Sequence, residues 1–209
     1  MKAAWTILTV LFLGAVVYLG RQQRSFAHET VSSPTAAPLQ ENDRLANGTQ
    51  RKIDHINENA QRNPPDQTPT VISEEEANAY FASGNVKLPL GVKKVTVKGQ
   101  SGVIDANVNV DFDEIREGQK SSNPLLAIFT GQHDVRVVTD ASGSGGQGKV
   151  HVRNVSIDGV DVPAVALEYF LQKYVTPKYP NVGIDSQFQL PARIDMATVG
   201  YHKLMVTQK

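Results

Sequence analysis

The feature that most constrains this chain is an uninterrupted apolar run close to its N-terminus. Residues 3–20 read AAWTILTVLFLGAVVYLG, with no charged side chain among 18 positions and with Lys2 and Arg21 on either side. As an α-helix, which rises 1.5 Å per residue, this run would be about 27 Å long, close to the hydrocarbon thickness of a bilayer. A helix also pairs its own backbone polar groups, which lipid cannot do. Residues 1–20 are therefore predicted to be a transmembrane anchor.

The same run allows a second interpretation, as a cleaved secretory signal. Ser25-Phe26-Ala27 has small residues at the spacing of a cleavage site, which would leave His28 as the first residue. Against this, the run is long for a signal, and Arg21 and Arg24 separate it from the small residues. An uncleaved anchor is the favoured prediction, and secretion after cleavage near Ala27 is the alternative.

The orientation of the anchor is inferred from the size of its two flanks, because positive charge is nearly balanced across the span. The few residues before the span hold no domain, so we expect the N-terminus to stay in the cytoplasm. The prediction is a single-pass membrane protein whose C-terminal domain is extracytoplasmic. The absence of cysteine is compatible with either side of the membrane.

The overall charge argues against nucleic acid as a partner. Lys plus Arg and Asp plus Glu are 21 each, so the formal net charge is zero. A nucleic-acid-binding domain normally carries a strongly basic face, which a neutral domain lacks. Residues 71–209 are numerous enough to form one domain with its own hydrophobic core.

Residues 21–70 differ in composition from the rest of the chain. They are rich in Gln, Asn, Ser, Thr and Pro and contain a single aromatic residue, Phe26. Such a segment buries too little apolar surface to offset the entropy that ordering costs. We predict a flexible, disordered linker here. The alternative is one short helix between Glu41 and Gln61, marked by Leu45, Ile53 and Ile56.

The domain over residues 71–209 shows clear local signals. Ser73-Glu74-Glu75-Glu76 is a capping box at the start of a helix. From Ile104 to Asp113 apolar and polar residues alternate, which predicts a strand with one buried and one solvated face. The run from Val92 to Lys98 is predicted to form a hairpin with that strand. A slip in the alternation at Arg153-Asn154 indicates a β-bulge.

A second helix is predicted from Pro163 to Thr176, with apolar residues at three- and four-residue spacing on one side. The fold class is therefore α+β, a curved and mainly antiparallel sheet packed against this amphipathic helix. The apolar segment Leu125–Phe129 has two interpretations. It either packs over the sheet, which we favour, or forms an exposed patch that faces a membrane or a ligand.

Several motifs resemble functional sites but lack the necessary context. Residues 143–149, GSGGQGK, match two nucleotide-binding patterns, yet a strand rather than a helix follows, so a hairpin loop is predicted. The polar residues at alternate positions 105–113 stand too far apart to surround Ca²⁺, which predicts a solvated strand face. His133 and His151 are predicted to form a polar pair across neighbouring strands. No catalytic, metal, nucleotide or cofactor site is predicted.

Three short motifs in this domain carry a family resemblance. They are ISEEEAN at residues 72–78, IDGVDVP at residues 157–163 and LPARI at residues 190–194. With the N-terminal span, they resemble YpmS-type and LmeA-type bacterial envelope proteins, some of which are similar to tubular lipid-binding domains. The resemblance covers residues 71–209. It implies a bacterial cytoplasmic-membrane location, a long sheet around a helix and an apolar groove for acyl chains.

These observations predict a membrane-anchored, non-enzymatic envelope protein whose exported domain binds a lipid or another apolar ligand. The alternative is a structural or assembly module that binds an envelope protein through a sheet edge or the 125–129 segment. A hydrolase without a recognisable motif is a third possibility. The same apolar residues that would line a ligand groove would equally fill a core. The predicted ligand-binding residues are Val108, Val110, Phe112, Leu167, Phe170, Leu171 and Tyr174.

Overall fold

The structure is a computed structural model that describes residues 36–86, 88–117 and 123–209. The predicted anchor at residues 3–20, the alternative cleavage site near Ala27 and the first part of the predicted linker lie outside these residues. Among the helices that the structure describes, none is both long and apolar enough to cross a bilayer.

The described residues form four α-helices, a 3₁₀ turn, a π-helical turn and nine strands. The helical elements are α1 (Ala36–Asn59), α2 (Glu74–Ala82), α3 (Phe112–Ile115), the 3₁₀ turn (Pro124–Leu126), α4 (Ala164–Phe170) and the π-helical turn (Leu171–Val175) that continues α4. The strands are β1 (Thr70–Ser73), β2 (Val92–Gln100), β3 (Val103–Asp111), β4 (Gln132–Ser144), β5 (Gln147–Ile157), β6 (Val160–Asp161), β7 (Asp185–Gln189), β8 (Ile194–Gly200) and β9 (Lys203–Gln208).

All nine strands belong to one sheet, and every pairing in it is antiparallel. The order along the main path is β1-β9-β8-β4-β3-β2, and β5 lies beside β4 and pairs with β6 and β7. All of β3 pairs with β4, whereas β8 pairs with β4 at a single position, where Gly143 lies opposite Ala197. The α+β class and the mainly antiparallel sheet are confirmed.

Local features of the sheet follow the sequence pattern. The residues at positions 104, 106, 108 and 110 are all buried, so the predicted inward face of β3 is confirmed. The strand ends at Asp111 rather than at the predicted Asp113, because the Asp111 side chain caps α3, whose first residue is the buried Phe112. The predicted bulge is also confirmed, because Asn154 lies opposite Val138 and Val152 opposite Thr139, which leaves Arg153 as the extra residue. The sheet as a whole is uncurled, however, and the predicted curvature is wrong. Three local register irregularities, one each in the β2–β3, β4–β5 and β8–β9 pairs, bend these strands without curling the sheet.

The capping box at the start of α2 is confirmed. The Glu76 amide donates to Ser73 Oγ at 3.1 Å, and the Ser73 amide donates to Glu76 Oε2 at 2.8 Å. Helix α2 therefore begins where its sequence predicts. Burial of the Glu76 carboxylate acts to raise its pKa, but hydrogen bonds from Lys52 and from the Ser73 amide outweigh burial and lower the pKa.

The structure corrects the prediction of a flexible linker for residues 36–59, which form the 24-residue helix α1. The alternative prediction of a helix between Glu41 and Gln61 is nearer to the structure, although α1 begins earlier and is longer. Its buried residues, Ala46, Thr49, Ile53, Ile56 and Asn59, recur every three or four positions and so lie on one side. Ile53 and Ile56 are 0% exposed and belong to the core of the domain. A few apolar residues are enough to attach a helix to the core when all of them lie on the same side of it. The average composition of a segment does not show this arrangement.

A buried amide pair joins α1 to the last strand. Asn59 Nδ2 donates to Gln208 Oε1 at 2.8 Å, and Gln208 Nε2 donates to the Ile56 carbonyl at 2.7 Å. Asn59 also donates to the Asp66 carbonyl and accepts from the Asp66 amide. Both amide side chains are almost fully buried. The C-terminal end of α1 is therefore attached to the sheet by directional hydrogen bonds as well as by apolar packing.

Candidate functional site

All seven predicted ligand-binding residues lie in or against the hydrophobic core, and ring contacts join Phe112, Phe170 and Tyr174 between the sheet and α4. The seven residues come from β3, α3, α4 and the π-helical turn, and they belong to a single core. Six of them are buried, and Leu167 packs against the others from the edge. In the described residues, this layer is therefore a packed core rather than the open groove that the family resemblance implies.

Aromatic rings form the centre of this layer. Phe129 stacks on Phe170 with 4.2 Å between ring centroids, and Phe112 meets both rings edge-on at 5.4 and 5.6 Å. Tyr174 lies 5.4 Å from Phe170. Such contacts add about 0.5–1.5 kcal/mol per pair to the burial of apolar area. The layer is consequently held by specific ring geometry.

Phe129 is a member of this layer that the sequence analysis did not select. The packing interpretation of the 125–129 segment is confirmed for Leu126 and Phe129, which are almost fully buried. Ile128, by contrast, is 43% exposed. The apolar composition of residues 125–129 indicated that this segment packs over the sheet. Composition does not show which residues of the segment face inward.

The hydroxyl of Tyr174 is the unusual polar group in this layer. It is buried and has no hydrogen-bond partner in the described residues. A buried hydroxyl without a partner costs about 1–3 kcal/mol. Two cations lie near the Tyr174 ring. Lys173 Nζ is 5.2 Å from the ring centroid, and the guanidinium carbon of the buried Arg116 is 5.8 Å from it. Arg116 also donates to the Phe129 carbonyl at 3.0 Å.

The backbone that carries Tyr174 is also irregular. Helix α4 widens into a π-helical turn at Leu171, and the Thr176 amide donates to the Leu171 carbonyl at 2.7 Å. The predicted helix from Pro163 to Thr176 is confirmed in extent but not in its regular α geometry. π-helical turns are rare, and they occur frequently at functional sites.

An exposed apolar surface adjoins this layer on α4 and the β5–β6 turn. Val165 and Tyr169 are 66% and 40% exposed and lie one turn apart on the outer side of α4. Val160, the first residue of β6, is 71% exposed. Helix α4 therefore has apolar residues on its outer side as well as toward the core.

The polar side of the sheet is a solvated face, as predicted. Asp105 binds Arg136 through both carboxylate oxygens, and Asn109 donates to Asp134 at 2.7 Å. Gly145 and Gly146, both at positive φ, form the turn between β4 and β5, so residues 143–149 are the predicted hairpin loop. Within the described residues, no group of three or more His, Asp or Glu side chains could hold a metal ion.

The predicted pair of His133 and His151 is wrong. His133 bonds to Asp158 and His151 to Asp185. In the observed register, His133 lies at the start of β4, whereas His151 lies opposite Asp140 farther along that strand. The offset arises from the length of the β4–β5 hairpin, which the spacing of the two histidines alone does not reveal.

Comparisons of the chain with known protein families, with curated proteins and with solved structures give no match. The resemblance to YpmS-type and LmeA-type envelope proteins therefore stays a prediction from three short motifs.

Proposed function

We propose that this protein is a membrane-anchored, non-enzymatic protein of the bacterial envelope. Residues 3–20 are its anchor in the cytoplasmic membrane, and its extracytoplasmic α+β domain binds a lipid or another apolar ligand between α4 and the sheet. The proposal is supported by the apolar run of the anchor and by the aromatic layer around Tyr174.

The observation that carries the proposal is the buried Tyr174 hydroxyl without a partner. The Tyr174 hydroxyl is already desolvated in the ligand-free protein. A ligand that presents a hydrogen-bond acceptor therefore gains this hydrogen bond without a further desolvation cost at the hydroxyl. An ester carbonyl of a lipid is such an acceptor, and its acyl chain matches the aliphatic and aromatic side chains nearby.

Because the layer is packed, binding requires α4 to move away from the sheet. Helix α4 is short, and its N-cap residue Pro163 makes no side-chain capping hydrogen bond. Val165 and Tyr169 on its outer side offer an apolar surface on which an acyl chain lies before it enters. We therefore infer that α4 and its π-helical turn are the part of the domain that opens.

The test is photolabelling in intact cells that produce the full chain. Cells take up palmitate with a terminal diazirine, are irradiated, and the labelled peptides are mapped by mass spectrometry. Label in the peptide that contains Phe170 and Tyr174 is expected, in addition to label in the 3–20 span, which contacts lipid in any case. Label confined to the span contradicts lipid binding by the domain.

A matched substitution separates the role of the hydroxyl from the role of the ring. Tyr174→Phe removes a buried, unpaired group, so we expect the free energy of unfolding of the ligand-free chain to rise by about 1 kcal/mol. The same change removes the hydrogen bond to the ligand, so labelling at residues 170–174 is expected to fall. The exposed Tyr201→Phe is the control and leaves both quantities unchanged. A destabilised Tyr174→Phe variant contradicts the proposal.

The exposure of Ile128, Val160, Val165 and Tyr169 favours a second candidate, a structural or assembly module that binds an envelope protein. This candidate predicts one dominant protein adduct when a photoreactive amino acid replaces Val165 in intact cells. A mixture of lipid adducts at that position favours the first candidate instead.

A further inference from the structure

A groove opens on the side of α1 that faces away from the sheet. It has a volume of about 340 Å³. Its walls come from three turns of α1 and from the first turn of α2, and they are Arg44, Leu45, Gly48, Arg51, Lys52, His55 and Glu76. It shares no residue with the aromatic layer around Tyr174, so it is a separate feature of the domain.

The groove is cationic in a chain that is neutral overall. Its walls carry three cationic side chains and one carboxylate, a net charge of +2, to which His55 adds when protonated. Glu76 is already occupied, since Lys52 Nζ donates to both of its oxygens at 2.6 and 2.7 Å. The single carboxylate therefore does not neutralise the remaining cations.

Two side chains in the groove, the guanidinium of Arg51 and the imidazole of His55, have free polar groups. Arg51 and His55 make no hydrogen bond or ion pair with any residue that the structure describes. They lie four residues apart on α1 and therefore project from the same side of the helix. Arg44 is paired with Glu41 outside the groove, but that pair is fully exposed and worth little.

Gly48 keeps the groove open at its centre. A glycine within a helix costs about 1 kcal/mol relative to alanine, and Gly48 lies in the middle of the 24-residue α1. A Cβ at this position would lie 3.7 Å from Glu76 Oε1 and 4.0 Å from Arg51 Nη2. The Arg51 guanidinium thus lies over Gly48, and a long side chain at position 48 would occupy the space beside it.

We propose that this groove is a binding site for a phosphate group. A guanidinium donates two parallel hydrogen bonds to phosphate oxygens. The net charge of +2 on the walls favours a doubly charged phosphomonoester over a singly charged carboxylate. The phosphate belongs either to a lipid headgroup or to a soluble molecule. The 15 residues 21–35 between the predicted span and α1 reach at most about 50 Å, so a headgroup lies within range.

The experiment uses the full chain in nanodiscs and follows the backbone amide resonances of residues 44–55. In one arm, nanodiscs of phosphatidylcholine are titrated with inorganic phosphate. In the other arm, phosphatidic acid replaces part of the phosphatidylcholine. Shifts in both arms support the site and a soluble source, and shifts with phosphatidic acid alone support the site and a lipid headgroup. No shift in either arm overturns the proposal.

Substitutions assign the binding to the groove. Arg51→Gln is expected to weaken phosphate binding about ten-fold or more, because it removes the charge-assisted donors. Gly48→Leu is expected to abolish binding by filling the groove, while leucine supports the helix better than glycine does. The control is Lys149→Gln, an exposed cation on β5 outside the groove. Equal weakening by Arg51→Gln and Lys149→Gln indicates non-specific attraction and overturns the proposal.

The folding of Gly48→Leu is checked independently by Gly48→Ala. The alanine side chain meets only ordinary van der Waals contacts, so we expect Gly48→Ala to melt at a higher temperature than the parent chain. If both variants melt no lower than the parent and Gly48→Leu still binds phosphate, the groove is not the site. Labelling by palmitate at residues 170–174 does not depend on this outcome, so the two proposals fail separately.

Discussion

Single buried polar residues decide how α1 is attached to the sheet. Asn59 and Gln208 are separated by 149 positions, and inside the protein Asn59 Nδ2 donates to Gln208 Oε1. Removing one partner from such a pair leaves the other desolvated and unpaired, which costs more than the hydrogen bond itself contributes. The pair is therefore a sensitive point in the stability of the domain.

For Asn59→Ala we expect the free energy of unfolding to fall by about 2–4 kcal/mol, since Gln208 and the Asp66 backbone lose their partners. Urea denaturation of the full chain in a mild detergent measures the change. Asn107→Ala, on the exposed face of β3, is the control and is expected to change stability by less than about 0.5 kcal/mol. If the two substitutions lower the free energy of unfolding equally, the buried Asn59–Gln208 pair contributes no more to stability than an exposed asparagine does.

Histidine 133 is the residue at which we expect a measurable titration effect. The hydrogen bond that His133 donates to the Asp158 carboxylate raises the pKa of His133 above its usual 6.5, and the same bond lowers the pKa of Asp158 below its usual 3.8. The pair therefore stabilises the fold fully between about pH 3.8 and 6.5. The contribution of His133 is lost as the pH rises through its raised pKa, and that of Asp158 is lost as the pH falls through its lowered pKa. Both side chains are partly exposed, so the effect on stability is small.

Asp158→Asn is expected to lower the pKa of His133 toward 6.5, measured by NMR titration of the histidine rings. Asparagine keeps the acceptor for the Asp134 amide, and it also tolerates the positive φ of this position. Asp185→Asn, next to His151, serves as the control and leaves the His133 pKa unchanged. An unaltered His133 pKa in Asp158→Asn rejects the ion pair as the cause of the shift.

At the scale of elements, helix α2 closes the outer edge of β2. Asn78 Nδ2 donates to the Val97 carbonyl at 2.9 Å, and Asn78 Oδ1 accepts from the Val97 amide at 2.7 Å. Glu74 Oε2 accepts from the Gly99 amide at 3.0 Å. These side chains occupy backbone groups that would otherwise pair with another strand. An envelope partner is thus not expected to add a strand at this edge.

For Asn78→Ala we expect a loss of about 1–3 kcal/mol in the free energy of unfolding, because two hydrogen bonds of the β2 edge disappear. The newly open edge is also expected to increase self-association, which light scattering measures. The exposed Asn107→Ala again serves as the control. A variant that is destabilised but stays monomeric supports the packing role alone.

At the scale of the whole molecule, α1 and the sheet share one core, and the predicted anchor lies 15 residues before α1. The domain begins soon after that predicted span, so it has far less freedom than a 50-residue coil would give it. If the span is inserted, the domain and its phosphate groove stay close to the bilayer surface.

The full chain is expected to sediment with membranes and to resist extraction by alkaline carbonate, because an apolar run of the length of residues 3–20 is more stable in hydrocarbon than in water. Charges within the span, as in the double variant Leu11→Lys and Val16→Lys, are expected to release it, since each costs about 2.5–3.5 kcal/mol at the centre of a membrane helix. An unprocessed chain that remains in the soluble fraction would contradict the anchor.

Local patterns in the sequence determined several elements of this fold. The inward face of β3, the capping box of α2, the bulge at Arg153 and the turn at residues 145–146 each depend on residues a few positions apart. Their physical causes, namely side-chain periodicity, hydrogen bonds over one helical turn and the freedom of glycine, act within such short segments. The seven residues predicted to bind a ligand all lie in or against the core, which their apolar spacing also allowed.

Only the tertiary structure decided whether the seven apolar residues line a groove or fill a core. It also decided whether residues 36–59 form a flexible linker or a helix. Helix α1 is stabilised by the surface that covers Ile53 and Ile56, and that surface is made by distant residues. Likewise, the ring of Phe129 fills the predicted groove from a separate loop. The partner of His133 follows from strand register. Burial depends on which distant surfaces meet, and this information is absent from any short window of sequence.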